Sequence, residues 1–329
     1  MQTRFKLLNI LVDGNFYSGD ELGAMLGVKR SAIWRHIQTL RGYGLDIYAV
    51  TGRGYRLRKP IELLSDSGIR AALPEDVRAQ IAGIEVHHVL DSTNSHLMRP
   101  EALALPTGSI CFAEYQAAGR GRQGRQWVSP YGSNLCFSLL WRFECGPDAL
   151  SGLSLAVAVG LAQGLASLGL RKPGLKWPND LYVDGRKLAG ILLEMSGESS
   201  GLSRVVVGVG VNLDMSAEAG KDIDQPWVAL ADLLPTAVSR NAAAGSIVGS
   251  IVNALGRFGA QGLSPFLPLW QQWDLTFNQQ VTLQHAQGAV EGCARGVDAS
   301  GALLIERNGT ISRYLSGDVV LLRAVPLSV

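Results

Sequence analysis

Apolar positions recur at helical spacing from Phe5 to Val12, again through Leu22, Met25 and Leu26, and a third time at Ile33, Ile37 and Leu40. These amphipathic stretches predict three short helices. Ser18, followed three residues later by Glu21, is a capping-box start for the second, and Gly27 ends it. The third helix, predicted from near Ser31 to Leu40, carries Arg30, Ser31, Trp34, Arg35, Gln38 and Arg41 on the surface opposite its apolar stripe. Beyond it, Asp46 to Val50 and Gly54 to Leu57 alternate like two strands around Thr51-Gly52-Arg53. Two helices about a glycine turn, then a hairpin, predict a winged helix-turn-helix over 1–62. The stretch that follows, rich in Pro, Ser and Gly, reads as a linker over 63–83 with one short helix.

The pattern then changes. Ile110 to Tyr115 and Val205 to Val211 are short, almost wholly apolar runs that predict buried strands. Ala149 to Leu170 is uncharged for 22 residues and long enough to cross a bilayer. Its four Gly, three Ser and Gln163, with no aromatic belt at its ends, predict a buried helix instead. From about Asn278, the segments Val281–Leu283, Ala302–Ile305 and Val319–Leu322 are short strands separated by Gly and Asp turns. The chain thus divides into a central domain over 84–274, closing near Trp270 and Trp273, and a small β domain over 275–329.

Charge sharpens this picture. Residues 1–60 hold ten Lys/Arg against four acids, net +6, whereas the remainder is net −4. A basic head on a slightly acidic body points the head at a polyanion, with Lys29, Arg30, Ser31, Trp34, Arg35, Gln38 and the wing's Arg53 as the DNA-binding candidates. A helix-turn-helix used for protein contacts would not need that balance. The four cysteines form no Cys-x-x-Cys pair and no His-Glu-x-x-His occurs, so neither a disulfide framework nor a metal site is expected. The first residues lack the cleavage signature of a signal peptide, and the chain reads as cytoplasmic.

The candidate chemistry lies in the middle third. Gly119-Arg120-Gly121-Arg122-Gln123-Gly124-Arg125 satisfies G-x-G-x-x-G after a strand. However, the turn-like Trp127-Val128-Ser129-Pro130 follows where a dinucleotide fold needs a helix, so a Rossmann reading fails. What remains is a flexible loop with three guanidinium forks, suited to paired carboxylate or phosphate oxygens. Lys176-Trp177-Pro178-Asn179-Asp180 and Lys187-Leu188-Ala189-Gly190-Ile191 add two lysines beside apolar strands. Together these cations imply a site for an anionic, phosphate-bearing ligand.

Those blocks, with Asp91-Ser92-Thr93-Asn94 and Gly208-Val209-Gly210-Val211-Asn212, resemble the biotin protein ligases. With the amino-terminal winged helix, the chain is similar to the bifunctional form that also represses the biotin operon, and the likeness spans essentially its whole length. The resemblance implies an α+β fold: a winged helix-turn-helix, a central mixed sheet with helices like that of class II aminoacyl-tRNA synthetases, and an SH3-like β-barrel. It implies an ATP-dependent, AMP-forming ligase using Mg2+-ATP and biotin, with biotinyl-5′-AMP as intermediate and corepressor. The partners implied are a lysine of a biotin carboxyl carrier protein, operator DNA and a second copy of the chain, with no membrane.

By the same resemblance, Arg120 and Lys187 grip carboxylate and α-phosphate oxygens, and Lys176 adds charge at the phosphate. Ser92, Thr93, Asn94 and Gln116 line the ureido end of biotin, and Gly121 and Arg122 close over it. Asn179, Asn212 and Trp227 lie near the nucleotide, and Asp180 orients the acceptor lysine. Two other readings are a lipoate or octanoyl ligase and a biotin-sensing repressor without catalysis; the winged helix and Gly/Arg loop disfavour the first, the intact Arg120, Lys176 and Lys187 set the second.

Overall fold

A computed structural model describes residues 2–197 and 201–321. The head contains α1 (Gln2–Leu11), α2 (Gly19–Leu26), α3 (Arg30–Gly42), and a hairpin of β1 (Ile47–Val50) and β2 (Gly54–Leu57). The capping box is formed: Ser18 Oγ accepts from Glu21 N, and Ser18 N donates to the Glu21 carboxylate at 2.7 Å. Gly27 ends α2 in the left-handed region at φ 67°. Leu7, Leu8, Leu11, Leu22, Ile33, Ile37 and Leu40 are buried together as the head's core.

The stretch expected to be a linker differs from the one-helix expectation. It carries two helices, α4 (Asp66–Ala72) and α5 (Glu75–Arg78). Their Ile69, Leu73 and Val77 are buried in the main core. The loose-connector reading followed the Pro, Ser and Gly residues and missed these widely spaced apolar ones, which have something to pack on only once the rest of the domain is present.

The central domain adds β3 (Gly83–His87), α6 (Thr93–Met98), β4 (Ser109–Ala113), β5 (Asn134–Phe143), α7 (Leu153–Ser167), β6 (Gly174–Lys176), β7 (Asp180–Val183), β8 (Arg186–Gly197), β9 (Ser203–Asn212), α8 (Arg240–Gln261) and α9 (Leu267–Trp273). Its strands form one seven-stranded sheet in the order β3-β4-β5-β9-β8-β7-β6. Only β3 and β4 run parallel; every other neighbouring pair is antiparallel. The apolar α7 packs against α8, and its Leu155, Val157, Val159 and Leu161 are buried. The longer stretch Pro147–Ser167 that contains it is long and apolar enough for a membrane, yet here that apolar surface goes into the domain core.

The C-terminal unit is a five-stranded antiparallel sheet of β10 (Gln280–His285), β11 (Gly288–Val297), β12 (Leu303–Arg307), β13 (Thr310–Tyr314) and β14 (Asp318–Leu321), ordered β13-β12-β11-β10-β14. Leu322, the end of the last expected strand, lies outside the described residues. This unit is attached to the central domain by the buried Trp177, whose indole N–H donates to Gly301 O at 3.0 Å.

Aromatic packing joins head and body. Phe5 of α1 stacks on His88 with centroids 3.9 Å apart, Tyr43 meets Tyr115 at 4.8 Å, and His88 Nδ1 lies 2.5 Å from the Tyr131 hydroxyl. Behind them, the buried Glu114 and Arg240 lie 2.8 Å apart, with side chains 1% and 7% exposed. Glu114 accepts from Leu64 N at 2.6 Å, while Arg240 donates to Glu62 O at 2.7 Å and Asn134 O at 2.9 Å. This pair fixes the chain where it passes from head to body. Arg240→Met should lower unfolding stability by about 3–5 kcal/mol, because it leaves the buried Glu114 carboxylate without its counter-charge. Adding Glu114→Gln should return part of that loss in a denaturant titration; a double variant as unstable as the sum of the singles would contradict the pairing.

Candidate active site

Glycines make the floor of the site. Side chains alternate faces along β9, so Gly208, Gly210 and Asn212 point the same way. A Cβ on Gly208 would lie 2.1 Å from Asn94 Oδ1, and one on Gly210 would lie 2.4 Å from the Trp127 ring. Gly190 of β8 pairs in register with Gly210. The missing side chains let Asn94 and Trp127 close onto the sheet, and a cleft of about 700 Å³, part of it open to solvent, lies between this floor, the start of α6 and the Gly/Arg loop.

One end of the cavity is neutral and richly hydrogen-bonded. Ser92, Thr93 and Asn94 are all at least 96% buried at the start of α6, Ser92 as its N-cap. Thr93 N donates to Gln116 Oε1 at 2.9 Å, and Ser138 Oγ lies 2.7 Å from Thr93 Oγ1 and 2.5 Å from Asn94 Oδ1. Asn94 Nδ2 donates to Leu192 O and to Glu194 Oε2 at 3.2 and 2.8 Å. These neutral donors and acceptors match a polar, uncharged ligand group.

Cations flank this neutral wall, Arg120 meeting it at Glu194 Oε2, the oxygen that Asn94 also uses. The expected flexible Gly/Arg loop is folded back on itself, with Gly121 N donating to Arg125 O at 2.7 Å and Trp127 N to Gly119 O at 2.9 Å. Gln123 takes φ 55° at its tip. Its guanidinium groups, read from sequence as open forks, are engaged by the protein. Arg120 pairs with Glu194 at 2.7 Å and Arg125 with Asp318 of β14 at 2.6 Å. Arg122 donates to Asn179 Oδ1 at 3.2 Å and to Gly317 O at 3.1 Å. Among the described residues Arg122 has no carboxylate within ion-pair distance, and burial depresses its pKa. A half-buried guanidinium held by two neutral oxygens favours the arrival of an anion.

Lys187 Nζ pairs with Asp180 Oδ2 at 2.8 Å, both side chains about 90% buried, and lies 5.9 Å from the Trp127 ring centroid. Asn179 is buried and its amide donates to Ile191 O. Lys176 does not reach the cavity wall. It sits behind it, Nζ 3.4 Å from the Tyr182 hydroxyl, with its pKa lowered chiefly by burial.

A second cavity of about 750 Å³ shares Arg125, Gln126, Trp127, Lys187 and Gln225 with the first and is bounded by Asn212 and Trp227. Lys187 N donates to Pro226 O and Val228 N to Lys187 O, so the loop bearing Trp227 is stitched to the start of β8. The structure therefore gathers Ser92, Thr93, Asn94, Gln116, Arg120, Gly121, Arg122, Asn179, Asp180 and Lys187 around one lobe, and Asn212 and Trp227 around the adjoining one. Sequence reasoning missed Trp127, Ser138, Glu194 and Asp318. A signal for Trp127 was available: two glycines alternating on an otherwise apolar strand mark a close approach.

In the head, Lys29, Arg30, Ser31, Trp34, Arg35 and Arg53 are exposed and Gln38 is half-buried. Arg41, read as part of the same outward surface, is instead turned to the hairpin, where both Nε and Nη2 donate to Ile47 O at 3.0 and 2.6 Å. Arg53 stacks 4.2 Å over Phe16, which orients the wing's guanidinium.

Comparison with known proteins agrees with this arrangement across the chain. Residues 3–56 match the profile of a helix-turn-helix domain, 86–212 that of the Biotin/lipoate A/B protein ligase family, and 276–322 that of the Biotin protein ligase C terminal domain. The chain is 41% identical over 315 residues to the bifunctional ligase/repressor BirA of Salmonella typhimurium, covering 96% of each chain. It is 40% identical over 316 residues to that of Escherichia coli, again covering 96% of each. Its fold is similar to that of an Aquifex aeolicus biotin protein ligase in complex with biotin and ATP, with a TM-score of 0.63 and 25% identity over 74% of this chain and 100% of that one. By sequence, domain order and fold, this chain belongs to the biotin protein ligase family, in its bifunctional ligase/repressor form.

Proposed function

We propose that the first lobe takes biotin and the second the adenosine of Mg2+-ATP, with reaction where the lobes meet at Lys187. The observation that carries this assignment is the half-buried Arg122, without a carboxylate partner among the described residues, in the amide-lined lobe that shares Lys187 with the Trp-bounded one. The neutral groups of Ser92, Thr93, Asn94 and Gln116 suit the ureido N–H and C=O of biotin, while Gly121 and Arg122 cover it. A carboxylate and a triphosphate repel, so their reaction needs cations that hold both. Arg120 and Lys187 take that role, and Lys176 adds its field from behind. Asn179 and Asn212 hold the nucleotide, with Trp227 packed on its base.

A biotin carboxylate oxygen forms a bond to the α-phosphorus as the α–β phosphoanhydride bond breaks, giving biotinyl-5′-AMP and pyrophosphate. A carrier lysine amine then attacks the acyl carbon, expelling AMP. Asp180 orients that amine and accepts its proton. Lys187 must leave or share its contact with Asp180 when phosphate oxygens arrive, so one ion pair links both half-reactions.

As a ligase/repressor the protein also carries its head to operator DNA. Lys29, Arg30, Ser31, Trp34, Arg35 and Gln38 form the reading surface, and Arg53 contacts the backbone or minor groove. Two adenylate-loaded copies pair in the cytoplasm to engage a two-fold operator, a coupling that requires the adenylate to bind the dimer more tightly than the monomer.

Incorporation of radiolabelled biotin into an apo-carrier domain should fall by about 10²-fold or more for Lys187→Ala and Lys187→Gln alike; wild-type labelling by either folded variant would remove Lys187 from the reaction. Lys176 loses its charge at lower pH than an ordinary lysine, because burial favours the neutral amine. ATP affinity should therefore decline as pH rises into the alkaline range, and Lys176→Arg should flatten that decline; identical profiles would sink the assignment. Arg35→Ala should weaken operator binding and lower the slope of log K against log salt by about one, with biotin transfer unchanged. An unaltered slope would place Arg35 off the DNA.

A further inference from the structure

Away from the ligase cavity, at the edge of the central sheet, four side chains with metal-ligating atoms come together. Glu85 and His87 are two residues apart on β3 and face the same side of the sheet. Cys111 on β4 pairs in register with Glu85 and faces that side too. α6 contributes His96 from its last turn. The Nε2 atoms of His87 and His96 lie 3.0 and 3.2 Å from the same Glu85 oxygen, Oε2. One ligating atom each of His87, His96 and Cys111 fall within 4.8 Å of one another. The second His96 nitrogen, Nδ1, is buried without a hydrogen-bond partner among the described residues, and Cys111 is fully buried.

A carboxylate that accepts from one nitrogen of each of two imidazoles orients both rings and leaves the other nitrogen of each for an ion, a shared form of the carboxylate contact that backs zinc-bound histidines. Two imidazoles and one thiolate are a borderline-soft donor set suited to Zn2+ rather than to Mg2+ or Ca2+. With the rim partly open to water, the side chains of His87 and His96 being 33% and 21% exposed, a fourth position remains for solvent. The sequence hides the set, because its members lie on three elements with no motif spacing.

We propose that His87, His96 and Cys111 bind one divalent transition-metal ion of the zinc class, with Glu85 as the carboxylate that fixes the two imidazoles. Binding forms two metal–nitrogen bonds and one metal–sulfur bond, and the Cys111 thiol gives up its proton to the buffer as it becomes thiolate. The ion ties the last turn of α6 to β3 and β4, while the first turn of the same helix carries Ser92, Thr93 and Asn94.

The test uses the full chain, stripped with EDTA and free of nucleotide. Zinc chloride titrated by calorimetry in two buffers of different ionisation enthalpy should give about one equivalent bound with proton release. Cobalt(II) chloride should produce a thiolate-to-metal absorption band in the near ultraviolet that Cys111→Ser lacks. His87→Gln and His96→Gln should each weaken zinc at least about tenfold, and zinc should raise the Tm of wild type but not of the double variant. His87 lies on the half-exposed rim, so H87Q serves even if H96Q folds poorly. No zinc uptake by wild type, equal binding by wild type and H87Q/H96Q, or a cobalt complex without the thiolate band would each overturn the proposal.

Discussion

The site depends on crowding cations into a space where they repel one another. Arg120, Arg125 and Lys187 escape that cost through Glu194, Asp318 and Asp180, at 2.7, 2.6 and 2.8 Å. Among the described residues, Arg122 leans on a side-chain amide and a backbone carbonyl. Since an unpaired buried charge is expensive, the arrangement is stable enough to fold yet most stable with an anion present. The internal acids hold the cations in place in the absence of ligand and set how much each must be rearranged when phosphate arrives.

The central and C-terminal domains share this burden. The Gly/Arg loop belongs to the central domain, but two of its guanidinium groups reach Gly317 and Asp318 of the C-terminal sheet. The block Lys176 to Asp180 sends Trp177 to Gly301 while Asp180 holds Lys187. The small β domain thus holds two of the guanidinium groups that line the cavity and contributes to its electrostatics.

Much of this was legible in the chain. The head could be read because a capping box, a glycine stop and a 3.6-residue stripe are local signals, and Ser18, Gly27 and Ile33 behave as those signals imply. The cationic blocks named the chemistry of the middle third. What could not be read depends on distant partners: that the forks of Arg120 and Arg125 are closed by Glu194 and Asp318, 74 and 193 residues away, or that Ile69 and Val77 of the supposed connector find a core. Arg41 illustrates the same limit, since helical spacing alone does not reveal that a carbonyl at Ile47 takes it out of the reading surface.

The stack of Phe5 on His88, with Tyr43 against Tyr115, has a geometric result for a two-fold assembly. These rings restrain the head against its own body. In the two-fold pairing proposed above, the separation between two such heads would act as a ruler set by how the bodies meet, and the length of DNA between half-sites would be measured by the enzyme.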